Sequence, residues 1–245
     1  MILIPIIIII CLLIIFSIYL QYYNSPKLII IDSKKPGKTL LIVGGTHGNE
    51  PAGFVASEQI IKELNHNMLK SGKIIIIPDA NTLGLKMNMR YMPIELMSFS
   101  ILGHPDLNRS YAVNNKKAKS HVADKIGQLA KSADWVIDLH EGWSFYKQNP
   151  KSMGSGIYPG KSTESHNVVP SLLNAVNNTI KREDYKFVSL DWPDLHGTLR
   201  MLCDENNIHY TLVETSGQND IQPIHIRSNQ HKIIIYDLLK QLNII

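Results

Sequence analysis

Hydrophobic positions in this chain fall into three kinds of run, and each predicts a different element. The first is nearly unbroken. Residues 2 to 20 are almost all apolar, interrupted mainly by Pro5 and Ser17. This approaches the ~20 apolar residues that cross a bilayer as a helix. The second kind is short and rich in β-branched residues: 39–43, 73–77, 135–139 and 210–213. Such runs, bounded by turn residues, read as strands buried on both faces. A first strand over 27–32 precedes them, entered from a short linker. The third kind is longer and mixes apolar with polar positions. It predicts helices over 51–65, 121–131, 165–181, 197–206 and 222–242, the first with Phe54, Ile60, Ile61 and Leu64 as core contacts. Strands alternating with helices predict crossover units around a central sheet. Two stretches lack regular patterning. Residues 78–111 carry few signals, and 142–161 are rich in Gly, Ser and Pro. Long irregular segments in a compact domain are usually functional, so both are expected to wall a cleft.

Polar residues then gather where the strands end. The run 39–43 leads into Gly44-Gly45-Thr46-His47-Gly48-Asn49-Glu50. Glycines let the backbone turn sharply, and His and carboxylate are both zinc ligands. A catalytic zinc takes three protein ligands and keeps one position open. His140 closes the run 135–139, and Glu214 closes 210–213. Open α/β sheets collect ligands at the carboxyl ends of their strands. His47, Glu50 and His140 are therefore the candidate metal ligands, and Glu214 is the candidate general base. Glu141 is its rival. Adjacent residues on an extended chain point to opposite faces, which favours Glu214. Asp138 either orients a ligand or bonds to backbone. Tyr146 and Tyr158, in the second irregular stretch, are candidates for touching a substrate. His104, His196 and His209 read as ordinary surface or core histidines.

The motif from Gly44 to Glu50, followed by Asp106-Leu107-Asn108-Arg109 and Asp138-Leu139-His140, resembles the succinylglutamate desuccinylase/aspartoacylase family. That family is related to the zinc carboxypeptidases. The resemblance runs from about residue 40 to about residue 217. It implies an α/β fold: a zinc-carboxypeptidase-like three-layer domain with a central mixed, mostly parallel sheet. It implies one zinc ion per chain on His47, Glu50 and His140, with Glu214 as base. Arg90 falls where the family polarises the scissile carbonyl, and Asn108 and Arg109 fall where it grips a substrate carboxylate. The implied activity is hydrolysis of an amide next to a free carboxylate, in a small N-acyl amino acid. A carboxypeptidase acting on peptides, cell-wall peptides included, would use the same residues. The chain runs only a short way past Glu214, without the extra C-terminal β-domain that often narrows the family's entrance, and this favours the peptide alternative. A third alternative is an inactive, membrane-tethered binding protein.

Composition adds bounds. The chain has 245 residues, enough for one α/β domain. It divides into an anchor over 1–22, a linker and first strand over 23–38, and a hydrolase domain over 39–245. The formal charge of +4 is mild, and lysines are spread without interleaved aromatics. No nucleic-acid partner is expected. Of the two cysteines, Cys11 lies in the apolar run, so no disulfide forms within the folded part. A cleaved signal peptide would need a basic start and a small-residue cleavage site. Only Met1 precedes the apolar run, and Tyr19, Tyr22 and Tyr23 resemble an interfacial aromatic belt. An uncleaved single-pass transmembrane helix is the expectation. Lys27, Lys34, Lys35 and Lys38 follow closely, which by the positive-inside rule places the domain in the cytoplasm. Nothing in the composition sets an oligomeric state.

Overall fold

Among the described residues of the computed structural model, seven strands form one sheet: β1 (Ile29–Asp32), β2 (Thr39–Val43), β3 (Lys73–Ile77), β4 (Trp135–Gly142), β5 (Gly156–Pro159), β6 (Val188–Ser189) and β7 (His209–Ser216). The helices are α1 (Ala52–Glu63), α2 (Thr82–Met87), α3 (His121–Lys131), α4 (Thr163–Asn167), α5 (Val169–Asn177), α6 (Leu199–Glu205) and α7 (Ile224–Gln241). The structure describes residues 25–93, 105–191 and 194–245, with three residue pairs, 7–8, 11–12 and 15–16, from the N-terminal run. The expected transmembrane anchor over 1–22 lies outside the described residues apart from those pairs, and so does His104. Among the described residues, no helix is long and apolar enough to cross a membrane.

The strand order is β1-β3-β2-β4-β7-β5-β6. Strands β3, β2, β4 and β7 run parallel, while β1 pairs antiparallel with β3 and β5 with β7. The sheet is therefore mixed and mostly parallel. Its central strands are apolar on both faces because both faces are covered. Alternate residues Leu40, Ile42, Ile74, Ile76 and Ile137 pack with Ile60, Leu172, Val176, Ile234 and Leu238 from α1, α5 and α7. The intervening Leu41, Val43, Ile75, Ile77 and Val136 pack with Val122, Ile126, Leu199 and Leu202 from α3 and α6. The period of two along each strand thus sorts one apolar run into two cores. Burying each such side chain is worth about 1.5–3 kcal/mol.

Three expectations are corrected. The stretch 142–161 is not wholly irregular, since it contains β5. The Tyr158 side chain, expected at the cleft, is fully buried in the second core, and its hydroxyl donates to the Met153 carbonyl at 2.8 Å. The helix predicted over 165–181 is two helices, α4 and α5. Pro170 sits in the first turn of α5, where a missing N–H is tolerated, so the chain restarts there. In the first wall, α2 was not anticipated. Asn81 caps it by accepting from the Gly84 N–H, and Asn88 ends it at φ +52.

Helix α7 packs behind β4 and β7 and buries His231 completely. Its Nε2 lies 3.3 Å from Thr215 Oγ1. Burial pushes its pKa down to about 3. The folded protein therefore refuses a proton that the unfolded chain accepts below its ordinary value near 6.5. Stability is lost as pH falls from about 6.5 toward 3, by up to about 1.4 kcal/mol per pH unit. In urea titrations, His231→Gln should be less stable than wild type at neutral pH. That deficit should shrink as the pH is lowered; a deficit independent of pH would show that His231 does not titrate in this way.

Candidate active site

The parallel strands all deliver their carboxyl ends to one side of the sheet. Strand β2 exits through Gly44 and Gly45, the latter at φ +66, in the left-handed region that favours glycine. Gly48 passes so close to Gly84 that a Cβ there would lie 2.0 Å from the Gly84 carbonyl carbon. The tight turn that follows, with the Glu50 N–H donating to the His47 carbonyl at 3.1 Å, puts both side chains on one side. His140 and Glu214 are direct partners on the parallel strands β4 and β7, so they share a face of the sheet.

These segments meet. His47 Nδ1 lies 2.9 Å from Glu50 Oε1, and His140 Nδ1 lies 2.9 Å from Glu50 Oε2. The two Nδ1 atoms are 3.1 Å apart. All three side chains are buried. Each outer ring nitrogen faces a carboxylate: His47 Nε2 is 3.1 Å from Asp106 Oδ1, and His140 Nε2 is 3.2 Å from Asp138 Oδ1. A carboxylate at hydrogen-bond distance accepts, so the His47 Nε2 carries the proton and its inner Nδ1 can present a lone pair. Ligands in a tetrahedral zinc site with bonds near 2.0–2.1 Å stand roughly 3.3 Å apart. The spacing and the donor set therefore fit one divalent ion.

Electrostatics agree with that fit. Burial opposes ionisation of Glu50, but the neighbouring imidazoles outweigh it and hold its pKa well below the ordinary value. Burial likewise opposes a charge on His140, yet Asp138 and Glu50 push its pKa well up. Three carboxylates around two imidazoles call for positive charge at their centre, whether a proton or a metal.

The surrounding cleft encloses about 330 Å³, and Arg90, Asn108, Arg109, Glu214, Gln218 and Trp143 line it. Glu214 is only 8% exposed, and burial pushes its pKa up to about 8. Arg90 reaches the site but pairs with a candidate ligand, Nη1 lying 2.9 Å from Glu50 Oε1. Arg109 donates to the Asn108 carbonyl. Asn108 Oδ1 accepts from the Leu199 N–H at 3.1 Å, so what Asn108 can offer a carboxylate is its Nδ2 donor. Glu141 points to the other face of β4. Its Oε1 accepts from the Ala52 N–H at 2.7 Å, and its Oε2 is 2.6 Å from Arg227 Nη1. Tyr146 is half-buried and does not line the cleft. His196 and His209 bond to Asn114 and Ser162, away from the site.

Two contacts escaped the sequence reading: that of Asp106, expected only to support its turn, with His47, and that of Gln218 with Glu50. Asp106 both caps its own turn, accepting from the Asn108 N–H at 2.9 Å, and holds His47. Its place at the head of the Asp-Leu-Asn-Arg motif was the available signal. Gln218 donates to Glu50 Oε1 at 3.0 Å and to the Glu141 carbonyl. No motif marks it.

Residues 36–149 match the model of the Succinylglutamate desuccinylase/Aspartoacylase catalytic domain. That segment contains His47, Glu50, Arg90, Asn108, Arg109 and His140. Over that segment the chain is similar to the catalytic domain of the succinylglutamate desuccinylase/aspartoacylase family. A relative, the N-alpha-acetyl-L-2,4-diaminobutyric acid deacetylase of Halomonas elongata, is 28% identical over 116 residues, which are 46% of this chain and 31% of that protein. Among solved structures, apo Cell Shape Determinant protein Csd4 from Helicobacter pylori is similar with TM-score 0.73 and 20% identity, covering 90% of this chain and 55% of that one. Its mDAP-bound form is described as that of a D,L-carboxypeptidase. The succinylglutamate desuccinylase/aspartoacylase from Rhodobacter sphaeroides has TM-score 0.65 and 17% identity over 90% of this chain and 60% of its own. At these identities the structural likeness shows a common fold. The chain spans less than two thirds of the length of each of these three relatives.

If Asp106 fixes the His47 ring, Asp106→Asn should weaken zinc binding by about 10–100-fold. Competition against a chromophoric chelator measures this, and unchanged affinity would contradict the role.

Proposed function

We propose that this chain is a zinc-dependent amide hydrolase that cuts an amide next to a free carboxylate. One observation carries the reading: two imidazole nitrogens and a carboxylate converge in the same cleft as a buried Glu and an Arg not bound into the metal cluster. The names of the relatives are in keeping with it, one being a deacetylase and another a D,L-carboxypeptidase.

Zinc, when bound by His47, Glu50 and His140, supplies a Lewis acid that lowers the pKa of water toward ~7 and polarises a carbonyl. Glu214 handles the protons. Beside a divalent charge its raised pKa falls, so its carboxylate can take a proton from the attacking water and return it to the leaving nitrogen. Arg90 now pairs with Glu50. With Glu50 engaged by a metal, the guanidinium, which also stands 3.5 Å from Asp106 Oδ2, would be available to donate to the developing oxyanion. Arg109 meets the substrate carboxylate with a planar pair of donors, and Asn108 adds its Nδ2. The N-terminal run attaches the domain to a membrane. Residues 2–20 carry no charged side chain, and Ile7, Ile8, Leu12, Ile15 and Phe16 are exposed. The lysines after the run favour a cytoplasmic domain.

Zinc-loaded full-length protein should hydrolyse N-acyl amino acids or short peptides with a free carboxyl terminus. Glu214→Gln should lower kcat by about 10²–10⁴-fold while zinc content stays the same. Full activity in that variant would remove Glu214 as the base. Arg109→Ala should raise KM for free-carboxylate substrates and leave amide-capped ones unchanged. Equal losses on both would contradict carboxylate recognition.

A further inference from the structure

The sheet has two ends, and they differ in chemistry. Strands β2, β3, β4 and β7 all finish at the cleft end. Strand β1 runs antiparallel to β3, so its first residue, Ile29, stands beside Ile76 near that same end. The chain enters there: the Lys27 N–H donates to Asp79 Oδ1 at 2.7 Å. Asp79 lies one residue before Ala80, whose N–H donates to the Gly44 carbonyl at 2.9 Å, in the loop that carries His47. The seven residues from Leu20 to Lys27 span at most roughly 25 Å. The chain thus enters the fold at the cleft end, and the tether from the apolar run starts there.

Exposed large apolar side chains gather at this end too. Leu28 precedes β1. Met87 and Tyr91 flank the segment that brings Arg90 to Glu50. Trp143 lines the cleft, and Ile221 and Ile224 follow the loop of Gln218. All six are exposed by more than a third. At the opposite end lysines gather, Lys34 standing 3.1 Å from Asp32 and Lys38 3.8 Å from Asp134. The Gly72 N–H donates to the Lys35 carbonyl, and the Lys73 N–H to the Lys38 carbonyl. This gathers the exposed Lys34, Lys35, Lys38 and Lys70 about 15 Å or more away along the strands. Met68 is an exposed large apolar residue there. Apolar and aromatic side chains favour the interfacial zone of a bilayer.

We propose that the domain rests on the bilayer with its cleft end down, the exposed apolar residues at that end seated in the headgroup region. This rests on the membrane attachment proposed above. The bilayer is the occupant because the chain that leads from the uncharged apolar run enters the sheet at the end that carries the exposed apolar rim. Such seating brings the cleft within reach of substrates held in the headgroup layer.

The test uses the full chain, with Cys11→Ser to leave Cys203, which is buried, as the remaining cysteine. It is reconstituted in vesicles of phosphatidylcholine and phosphatidylglycerol that carry nitroxide-labelled lipid. A fluorophore is placed in turn at Met87→Cys, Ile224→Cys, Lys35→Cys and Lys70→Cys. Flotation with the vesicles reports attachment, and quenching reports which end touches lipid. Quenching several-fold stronger at 87 and 224 than at 35 and 70 is expected. Flotation with equal or reversed quenching overturns the orientation alone. Protein that does not float overturns the attachment and the orientation with it. Shielding of 87 and 224 from aqueous iodide, without lipid quenching, assigns that end to a second copy and overturns the proposal.

Discussion

Parallel pairing of β4 with β7 is the constraint on which the site depends. Their register sets His140 beside Glu214 and Glu141 beside Thr215. Because side chains alternate, one face receives the candidate ligand and base, and the other receives Glu141 and its partners. A slip of one residue would exchange those faces, sending His140 into the packed core and Glu141 into the cleft. The apolar run before each motif residue guards against this, since slipping it would expose one core to the other's helices. The two cores therefore do more than hold the sheet together. They fix which acid faces substrate.

On the far face, Glu141 is part of a buried network. Arg227 pairs with it, donates to the Gly217 carbonyl at 2.8 Å and reaches Asp220 Oδ1 at 3.1 Å. A buried ion pair seldom adds much net stability, because desolvating both charges offsets their attraction. Its value here lies in position. The pair clamps the loop after β7, whose Asn219 and Asp220 both stand at positive φ, at +66 and +52. That loop aims Gln218 at Glu50. Glu50, a candidate ligand, is thus braced by Asp138 and Asp106 through the histidines, and by Gln218 directly.

What the chain showed in advance, and what it hid, follows from the range of the interactions. Strands β2, β3, β4 and β7 were legible because each buries a continuous apolar run, and His47, Glu50, His140 and Glu214 stood out because they end such runs. Strand β5 was hidden. Its four residues, Gly-Ile-Tyr-Pro, have little pattern of their own, and their strand character comes from pairing with β7. Tyr158 was misplaced for the same reason: with the strand missed, nothing indicated that its side chain turns into the core. The break between α4 and α5 was written in Pro170 and overlooked. Asp106 and Gln218 join the site through contacts 59 and 168 residues distant in sequence. No local pattern reports a contact of that kind.

The close approach of Gly48 to Gly84 has a consequence for how the cleft can diversify. The wall built from the β2 exit and α2 has no slack, since one added methyl group would strike backbone. A second part of the wall, whose lining includes Met153, Leu195 and Met201, is made of side chains that can be exchanged for others of different size. Variation in substrate preference among descendants of this protein should therefore accumulate on that second part, while the first stays a fixed template against which new ligands are measured.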